Sequence, residues 1–312
     1  MNKLLIISDN ASEYASYLQD YDLPCVEICV ARNMDAAESF IDQANIILGK
    51  PAMTAPLLER ATKLEWLQST FAGIEPFCAA GLRNDYILTG VKDVFGPLMS
   101  EYVFAYLLAL ERHLFSTRDN QHKKLWQAIP YRSLSELTIG ICGLGSIGQA
   151  IANTAAHFRM RVLGLSRSAT PVPSIDEVFA TSEITDFASQ VDYLVVVLPG
   201  TPQTTGLINR EVFQAMSTES VLVSVGRGAS IDEASLTRAM RNRDIRAAVL
   251  DVFNTEPLSK DSPLWEMDNV FITPHNAAIS FASDIAAIFQ QNYHRFISGQ
   301  PLNYVIDFKR GY

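Results

Sequence analysis

No stretch of this sequence approaches the ~20 consecutive apolar residues that a membrane-spanning helix needs. Its opening, MNKLLIISDN, turns polar after a strand-length apolar run, unlike a secretory leader. Both absences lead us to expect a cytoplasmic chain with no membrane partner. Positive charge is scarce as well: 25 Lys and Arg face 34 Asp and Glu, a formal net charge of -9. Such a surface repels phosphate backbones and anionic lipids, which argues against nucleic acid as a partner and means that a small anionic ligand must find its positive charge locally. There are four cysteines, Cys25, Cys29, Cys78 and Cys142, without CxxC spacing. Cys25 and Cys29 have no His or second Cys pair near them in sequence, so we expect no metal site and read all four as reduced, buried thiols.

What the chain does have is apolar residues in short runs. Hydrophobic residues make up 48% and charged residues 19% of the 312, the balance of a soluble α/β protein long enough for two domains. Strand-like runs recur about every twenty residues at 4–8, 26–30, 45–48, 64–69 and 86–91, leaving room for one helix between neighbours, as parallel βαβ units require. Helices are expected at 11–21 and at 34–43, the latter behind Asn33 as N-cap. From Pro97 the pattern PLMSEYVFAYLLALERHLF repeats apolar residues at three- and four-residue intervals through Leu114 and predicts one long, mostly buried helix. Six further strands are predicted at 138–142, 161–165, 193–198, 221–225, 246–250 and 270–273, matching a complete Rossmann sheet. A last helix is expected over 278–297, returning to the first domain. The fold class is thus α/β: two doubly wound parallel-sheet domains, with a Rossmann cofactor domain (100–277) inserted into a smaller flavodoxin-like substrate domain (1–99 and 278–312).

The segment LTIGICGLGSIGQAIA places Gly143, Gly145 and Gly148 in a GxGxxG pattern directly after a strand and before a helix. In that setting the first glycine serves a tight turn, the second lets backbone approach a pyrophosphate, and the third lets helix and strand pack closely. The helix N-terminus adds free N–H groups and partial positive charge. The next strand ends in Ser166, Arg167 and Ser168, where a carboxylate for a ribose diol would otherwise stand. An Arg there can pair with a 2′-phosphate and two Ser can donate to it, so NADP is expected in preference to NAD.

Three segments follow later strands: VLVSVGRGA with Arg227, AAVLDVFNTEPL with Asp251 and Glu256, and VFITPHNAA with His275. Ligands of open α/β sheets bind beyond the carboxyl ends of the strands, so these side chains can share one cleft. Together with GLGSIG and the TPQTTGLIN stretch, the segments closely resemble the D-isomer-specific 2-hydroxyacid dehydrogenase family, most nearly its glyoxylate and hydroxypyruvate reductases. The first domain is matched by its layout and by FAGIE at 71–75.

That resemblance implies reduction of a small 2-oxo acid to a D-2-hydroxy acid. His275 would be the acid that protonates the carbonyl oxygen and Glu256 its partner, since a carboxylate on an imidazole favours the protonated ring. Arg227 would hold the substrate carboxylate with its forked guanidinium. Ala72 and Gly73 would offer backbone N–H groups to the same carboxylate, and Asp251 would orient the nicotinamide carboxamide. Cofactor contacts would extend to Ser146, Ile147, Leu198, Pro199, Thr204, Val225 and Gly226. The chain departs from the family pattern at Ser224, where Asn is common, and at Asn276 and Ala278 after the His. Lys50 is placed to touch an anionic substrate or simply to be solvated, and Trp126 is read as structural. His113, His122, His157 and His294 match no motif. A homodimer is expected from the apolar helix and the loop past Trp126. The competing reading is a non-catalytic, corepressor-like NAD(H) sensor on the same fold, since fold alone does not fix function.

Overall fold

Runs of apolar residues without polar alternation have no solvent face to offer, and they become strands covered on both sides. A computed structural model describes residues 1–308, so the last four positions of the expected 278–312 segment lie outside the described residues. The chain divides into two units, Met1–Val94 with Ser280–Tyr312, and Phe95–Ile279.

In the first unit, five parallel strands stand in the order β2-β1-β3-β4-β5. They are β1 (Asn2–Ile7), β2 (Val26–Ala31), β3 (Ile46–Gly49), β4 (Trp66–Ser69) and β5 (Ile87–Thr89). Leu4 to Ile7 and Ile46 to Leu48 are fully buried at the centre, whereas edge strand β2 is half exposed. Helix α1 (Ala11–Gln19) follows β1. Asn33 caps α2 (Met34–Glu38) by accepting from the Ala36 N–H at 2.8 Å. The single helix expected over 34–43 is divided: α2 stops at Glu38, and Ile41–Gln43 forms a separate 3-10 turn, with a short α3 (Pro51–Thr54) after β3. The C-terminal helix, Ala282–Ile297, starts four residues later than expected because Phe281 is extended. Its Phe289 stacks on Trp66 with ring centroids 4.8 Å apart, and its Tyr293 hydroxyl donates to the Pro24 carbonyl at 2.7 Å. The expectation of four buried thiols is corrected: Cys142 is buried, Cys29 and Cys78 are intermediate, and Cys25 is exposed in a left-handed turn (φ 59°) before β2.

The second unit has seven parallel strands, one more than expected, in the order β12-β11-β10-β9-β6-β7-β8. They are β6 (Thr138–Cys142), β7 (Arg161–Ser166), β8 (Glu177–Ala180), β9 (Tyr193–Val196), β10 (Val221–Ser224), β11 (Ala247–Leu250) and β12 (Val270–Ile272). The extra strand, β8, pairs with β7 from Leu163↔Glu177 onward. Its apolar run is limited to Val178–Ala180 behind Glu177, and as an edge strand it is only partly covered, so it carries no readable period. Along β9, Tyr193 and Val195 enter one core, with Val103, Leu107 and Ile151, while Leu194 and Val196 enter the other, with Phe187, Phe213 and Leu236. The period of two is present, but both faces are apolar. The strand order reverses between β9 and β7 around β6, which opens a crevice at the carboxyl ends.

The long helix predicted from Pro97 is two helices. α4 (Phe95–Glu111) buries Val103, Phe104 and Leu107, but His113 adopts a left-handed conformation (φ 52°) and α5 (Leu114–His122) buries nothing. At the end of α4, Glu111 is only 3% exposed and accepts from the Arg132 guanidinium at 3.0 and 3.1 Å, from the Tyr193 hydroxyl at 2.6 Å, and from Arg246. Arg132 also reaches Asp192 at 3.0 Å. This network closes the amino ends of β9 and β11. Burial alone would raise the Glu111 pKa, but the hydrogen bonds and charges of Arg132, Tyr193 and Arg246 outweigh it and hold the carboxyl at about 2, against 4.5 ordinarily.

A carboxyl whose pKa is lower folded than unfolded stabilises fully above its unfolded value, and that stabilisation drains away as pH falls from about 4.5 toward 2. The shift corresponds to about 3 kcal/mol at neutral pH. Glu111→Gln is therefore expected to lower the unfolding free energy by about that amount at pH 7, with two guanidiniums left under-neutralised. Urea unfolding between pH 7 and pH 3 checks this: the stability of the unmodified protein should fall more steeply below pH 4.5 than that of the variant.

Candidate active site

The glycine-rich turn joins β6 to α6 (Ser146–His157), with Gly145 as N-cap. Gly143 has φ +100°, and a Cβ there would lie 2.6 Å from the Val197 carbonyl oxygen. A Cβ on Gly148 would lie 2.0 Å from the Gly143 oxygen, so this glycine is demanded by packing. Gly145 is different: a Cβ there meets nothing within 4 Å. Nothing within the protein requires a glycine at this position, which is what a turn shaped for close approach of an outside group would show. The open N-terminus of α6, with Ser146 and Ile147 half-buried beside it, fits the phosphates of a dinucleotide.

Strand β7 delivers Ser166, Arg167 and Ser168 to the same edge of the sheet. Arg167 and Ser168 are exposed, and the Ser168 hydroxyl lies 2.8 Å from that of Thr170 across the left-handed Ala169 (φ 46°). Beyond β9, Leu198 is buried and its backbone sits where a Cβ on Gly226 would fall, at 2.6 Å from the Leu198 oxygen, with Val225 buried beside it. Pro199 is exposed, and its carbonyl accepts from the Thr204 hydroxyl, which also receives the Thr201 N–H at 3.0 Å. Thr204 thus shapes the loop that carries Pro199. Arg227 follows Gly226 after β10, is partly buried, and donates through Nη1 to the Gly226 carbonyl at 3.0 Å.

The next two strands bring three side chains together. The Nδ1 of His275 lies 2.7 Å from Glu256 Oε2, and the other carboxylate oxygen, Oε1, accepts from the Phe253 N–H at 3.0 Å. With Nδ1 engaged, Nε2 is the nitrogen turned to other partners, on a ring that is half exposed. Asp251, at the end of β11, is 1% exposed and wraps the segment carrying His275. Its backbone oxygen accepts from the His275 N–H at 3.0 Å, Oδ1 from the Asn276 N–H at 2.9 Å and the Thr273 hydroxyl at 2.6 Å, and Oδ2 from the Ala277 N–H at 3.1 Å. His275 is held there with φ 52°. A ring with one nitrogen fixed on a carboxylate and the other exposed is the arrangement of a general acid or base.

Residues 104–277 match the model of the D-isomer specific 2-hydroxyacid dehydrogenase NAD-binding domain. A solved D-isomer specific 2-hydroxyacid dehydrogenase family protein from Aeromonas salmonicida is 46% identical, covering 98% of this chain and 99% of its own, with a TM-score of 0.94. This chain belongs to the D-isomer specific 2-hydroxyacid dehydrogenase family. A 2-hydroxyacid dehydrogenase from Xanthobacter autotrophicus, solved with NADPH and MES, is 29% identical over 100% of this chain and 99% of that one, with a TM-score of 0.91. The NADPH-dependent glyoxylate/hydroxypyruvate reductase of Sinorhizobium meliloti, solved with NADP and sulfate, is 27% identical over 100% of both chains, with a TM-score of 0.90.

In the first unit of this dehydrogenase, the carboxyl end of β4 carries the expected Ala72 and Gly73 on a loop pinned by Ser69, whose hydroxyl donates to the Phe71 carbonyl at 2.7 Å and accepts from its N–H at 3.1 Å. Lys50, after β3, is paired with Asp9 and stands 5.9 Å from the centroid of the Phe71 ring. Trp126 is fully exposed. Among the other histidines, His113 bonds the Pro130 carbonyl at 2.8 Å and His157 the Asn153 carbonyl at 2.7 Å, so each serves its own loop or helix. Sequence reasoning missed Thr273, Thr170 and Gly228. Gly228 is held by the Phe253 backbone, 2.0 Å from where a Cβ would fall, and this fixes the turn after Arg227. The TPH triplet was a signal for Thr273, but its partner lies 22 residues upstream.

The two motif glycines should respond differently to a methyl group. Gly148→Ala is expected to cost about 3 kcal/mol, because the obstructing atom is backbone. Gly145→Ala, in open space at an N-cap, should cost less than about 1 kcal/mol. Urea denaturation of both variants measures the contrast.

Proposed function

We propose that this dehydrogenase reduces a small 2-oxo acid of the glyoxylate or hydroxypyruvate kind to a D-2-hydroxy acid, using NADPH in preference to NADH. The observation that carries this reading is the His275–Glu256 pair, fixed at the carboxyl edge of the same sheet that presents Arg227 and the glycine-rich turn. The Xanthobacter and Sinorhizobium structures, solved with NADPH and NADP, support the cofactor class, and the Sinorhizobium enzyme's substrates support the acid class.

The residues that would hold the dinucleotide are Gly143, Gly145, Ser146, Ile147 and Gly148 at its pyrophosphate and Ser166, Arg167 and Ser168 at its 2′-phosphate. Leu198, Pro199, Thr204, Val225, Gly226 and Asp251 would lie along the rest. When bound, the reduced nicotinamide supplies a hydride to the carbonyl carbon of the substrate. Arg227 binds the substrate carboxylate as a permanently charged fork and draws electron density toward the carbonyl oxygen. His275 gives its Nε2 proton to that oxygen, and the Nδ1 proton stays on the hydrogen bond to Glu256. In the reverse direction Nε2 takes the hydroxyl proton back. Glu256 stabilises the charged ring before transfer and fixes its plane.

His275→Ala is expected to lower kcat by about 10² to 10⁴ with little change in cofactor affinity. Arg167→Ala should shrink the NADPH advantage in kcat/KM while leaving NADH rates nearly unchanged. Steady-state kinetics of the unmodified enzyme and both variants, with glyoxylate and each cofactor, decides both points. Better turnover with NADH in the unmodified enzyme would overturn the reading of β7, and undiminished turnover in His275→Ala would overturn the acid assignment.

The working enzyme is proposed to be a homodimer. Leu114 and Phe115 on α5, then Leu125, Trp126 and Tyr131, are large apolar or aromatic side chains left exposed along one stretch. Light scattering coupled to size exclusion should give twice the 34.5 kDa chain mass, and a concentration-independent monomer would refute the dimer.

A further inference from the structure

The segment that carries His275 is gripped from one side by Asp251, and Asp251 is itself contacted through a hydroxyl that has a further partner. Thr273 Oγ1 lies 2.6 Å from Asp251 Oδ1 and 2.6 Å from the Tyr102 hydroxyl of α4. A threonine hydroxyl has one proton, and an ionised carboxylate can only accept. That proton therefore goes to Asp251, and Tyr102 must donate to Thr273. The chain of donors runs one way, from α4 to the carboxylate.

The tyrosine is not placed casually. Its ring packs on Tyr106 with centroids 5.1 Å apart, and Tyr106 contacts Phe271 of β12 at 5.9 Å, so a run of tilted aromatic contacts ties α4 to the edge strand that precedes Thr273. Burial pushes the Tyr102 hydroxyl pKa well above its ordinary value, so it remains a donor at any working pH. Asp251 spends its backbone oxygen and both carboxylate oxygens on the segment 273–277. The Thr273 hydroxyl is the one side-chain donor among these contacts, and Tyr102 fixes the direction in which it donates.

We infer that Tyr102 is a positioning residue, which acts through Thr273 and Asp251 to fix the backbone of 273–277 and thereby the reach of the His275 ring toward its substrate. The inference rests on the proposed role of His275 as the acid. Its signature is in turnover and not in substrate binding, because the Tyr102 hydroxyl is engaged with Thr273 and is no part of the proposed substrate contacts: kcat falls while substrate KM holds. Misplacement of a reacting group by a fraction of an ångström is costly in rate while leaving binding intact.

The experiment compares Tyr102→Phe, Thr273→Val, Thr273→Ser and the double variant Tyr102→Phe/Thr273→Val, with glyoxylate and NADPH, alongside His275→Ala. Tyr102→Phe keeps the ring stack and loses only the donor, and is expected to lower kcat about 5- to 10-fold, with KM within about twofold. Thr273→Val should lose about 30-fold, and Thr273→Ser, which keeps the hydroxyl, should recover most of it. The double variant should be no slower than Thr273→Val, since one broken link silences the chain. Thermal unfolding of each variant checks that the fold is kept. Turnover of Tyr102→Phe within twofold of the unmodified enzyme overturns the inference, as do multiplicative losses in the double variant. If His275→Ala turns over normally, the acid assignment fails instead, and the two failures are thus told apart.

Discussion

Asp251 is a nearly solvent-free carboxylate at the carboxyl end of β11, one strand in from the sheet edge, and a charge so placed needs partners on every side. It finds them in the segment that follows β12: one hydroxyl and two N–H groups reach its carboxylate, and its own carbonyl takes the N–H of His275. The left-handed backbone of His275 is affordable because these contacts over-determine it. Once the loop is set, the ring falls at 2.7 Å from Glu256, which is in turn set by the Phe253 N–H. The geometry of the candidate site thus follows from a buried carboxylate behind it.

The acidic character of the chain gives the remaining geometry its meaning. With a net charge of -9, attraction for anions has to be local. In the second unit three separate groups that carry positive potential lie at the carboxyl ends of one sheet: the N-terminus of α6, Arg167 after β7 and Arg227 after β10. Two are guanidinium side chains, and the third is backbone. Each is delivered by a parallel strand, so all lie at carboxyl ends, and the fold class itself dictates that they share an edge.

This is why the placement of the candidate site residues was readable in the sequence while other features were not. Gly143, Arg227, Asp251 and His275 each stand within a few residues of a strand end, so a correct strand pattern was sufficient to place them. The hold on Glu111 joins it to Arg132, Tyr193 and Arg246, which are 21, 82 and 135 positions away and follow no local pattern. The Tyr102–Thr273 bond spans 171 positions and was equally hidden. The apolar period of α4 runs on past its end because Leu114 happens to keep the phase, while the break is made by the backbone of His113, which hydrophobicity does not register. β8 escaped for another reason: its apolar run, Val178 to Ala180, is three residues long and shows no period.

The Glu111 network lies at the amino ends of β9 and β11, while Asp251 and the loops of the site lie at the carboxyl ends of their strands. Parallel strands thus keep the second unit's main electrostatic clamp and its chemistry at opposite ends of one sheet. Such an arrangement lets the two evolve separately. Loops at the reactive end can be exchanged, lengthened or recharged to accept another acid or another cofactor while the clamp underneath is left intact. A lineage built on this frame is free to diversify what it reduces without first having to relearn how to fold.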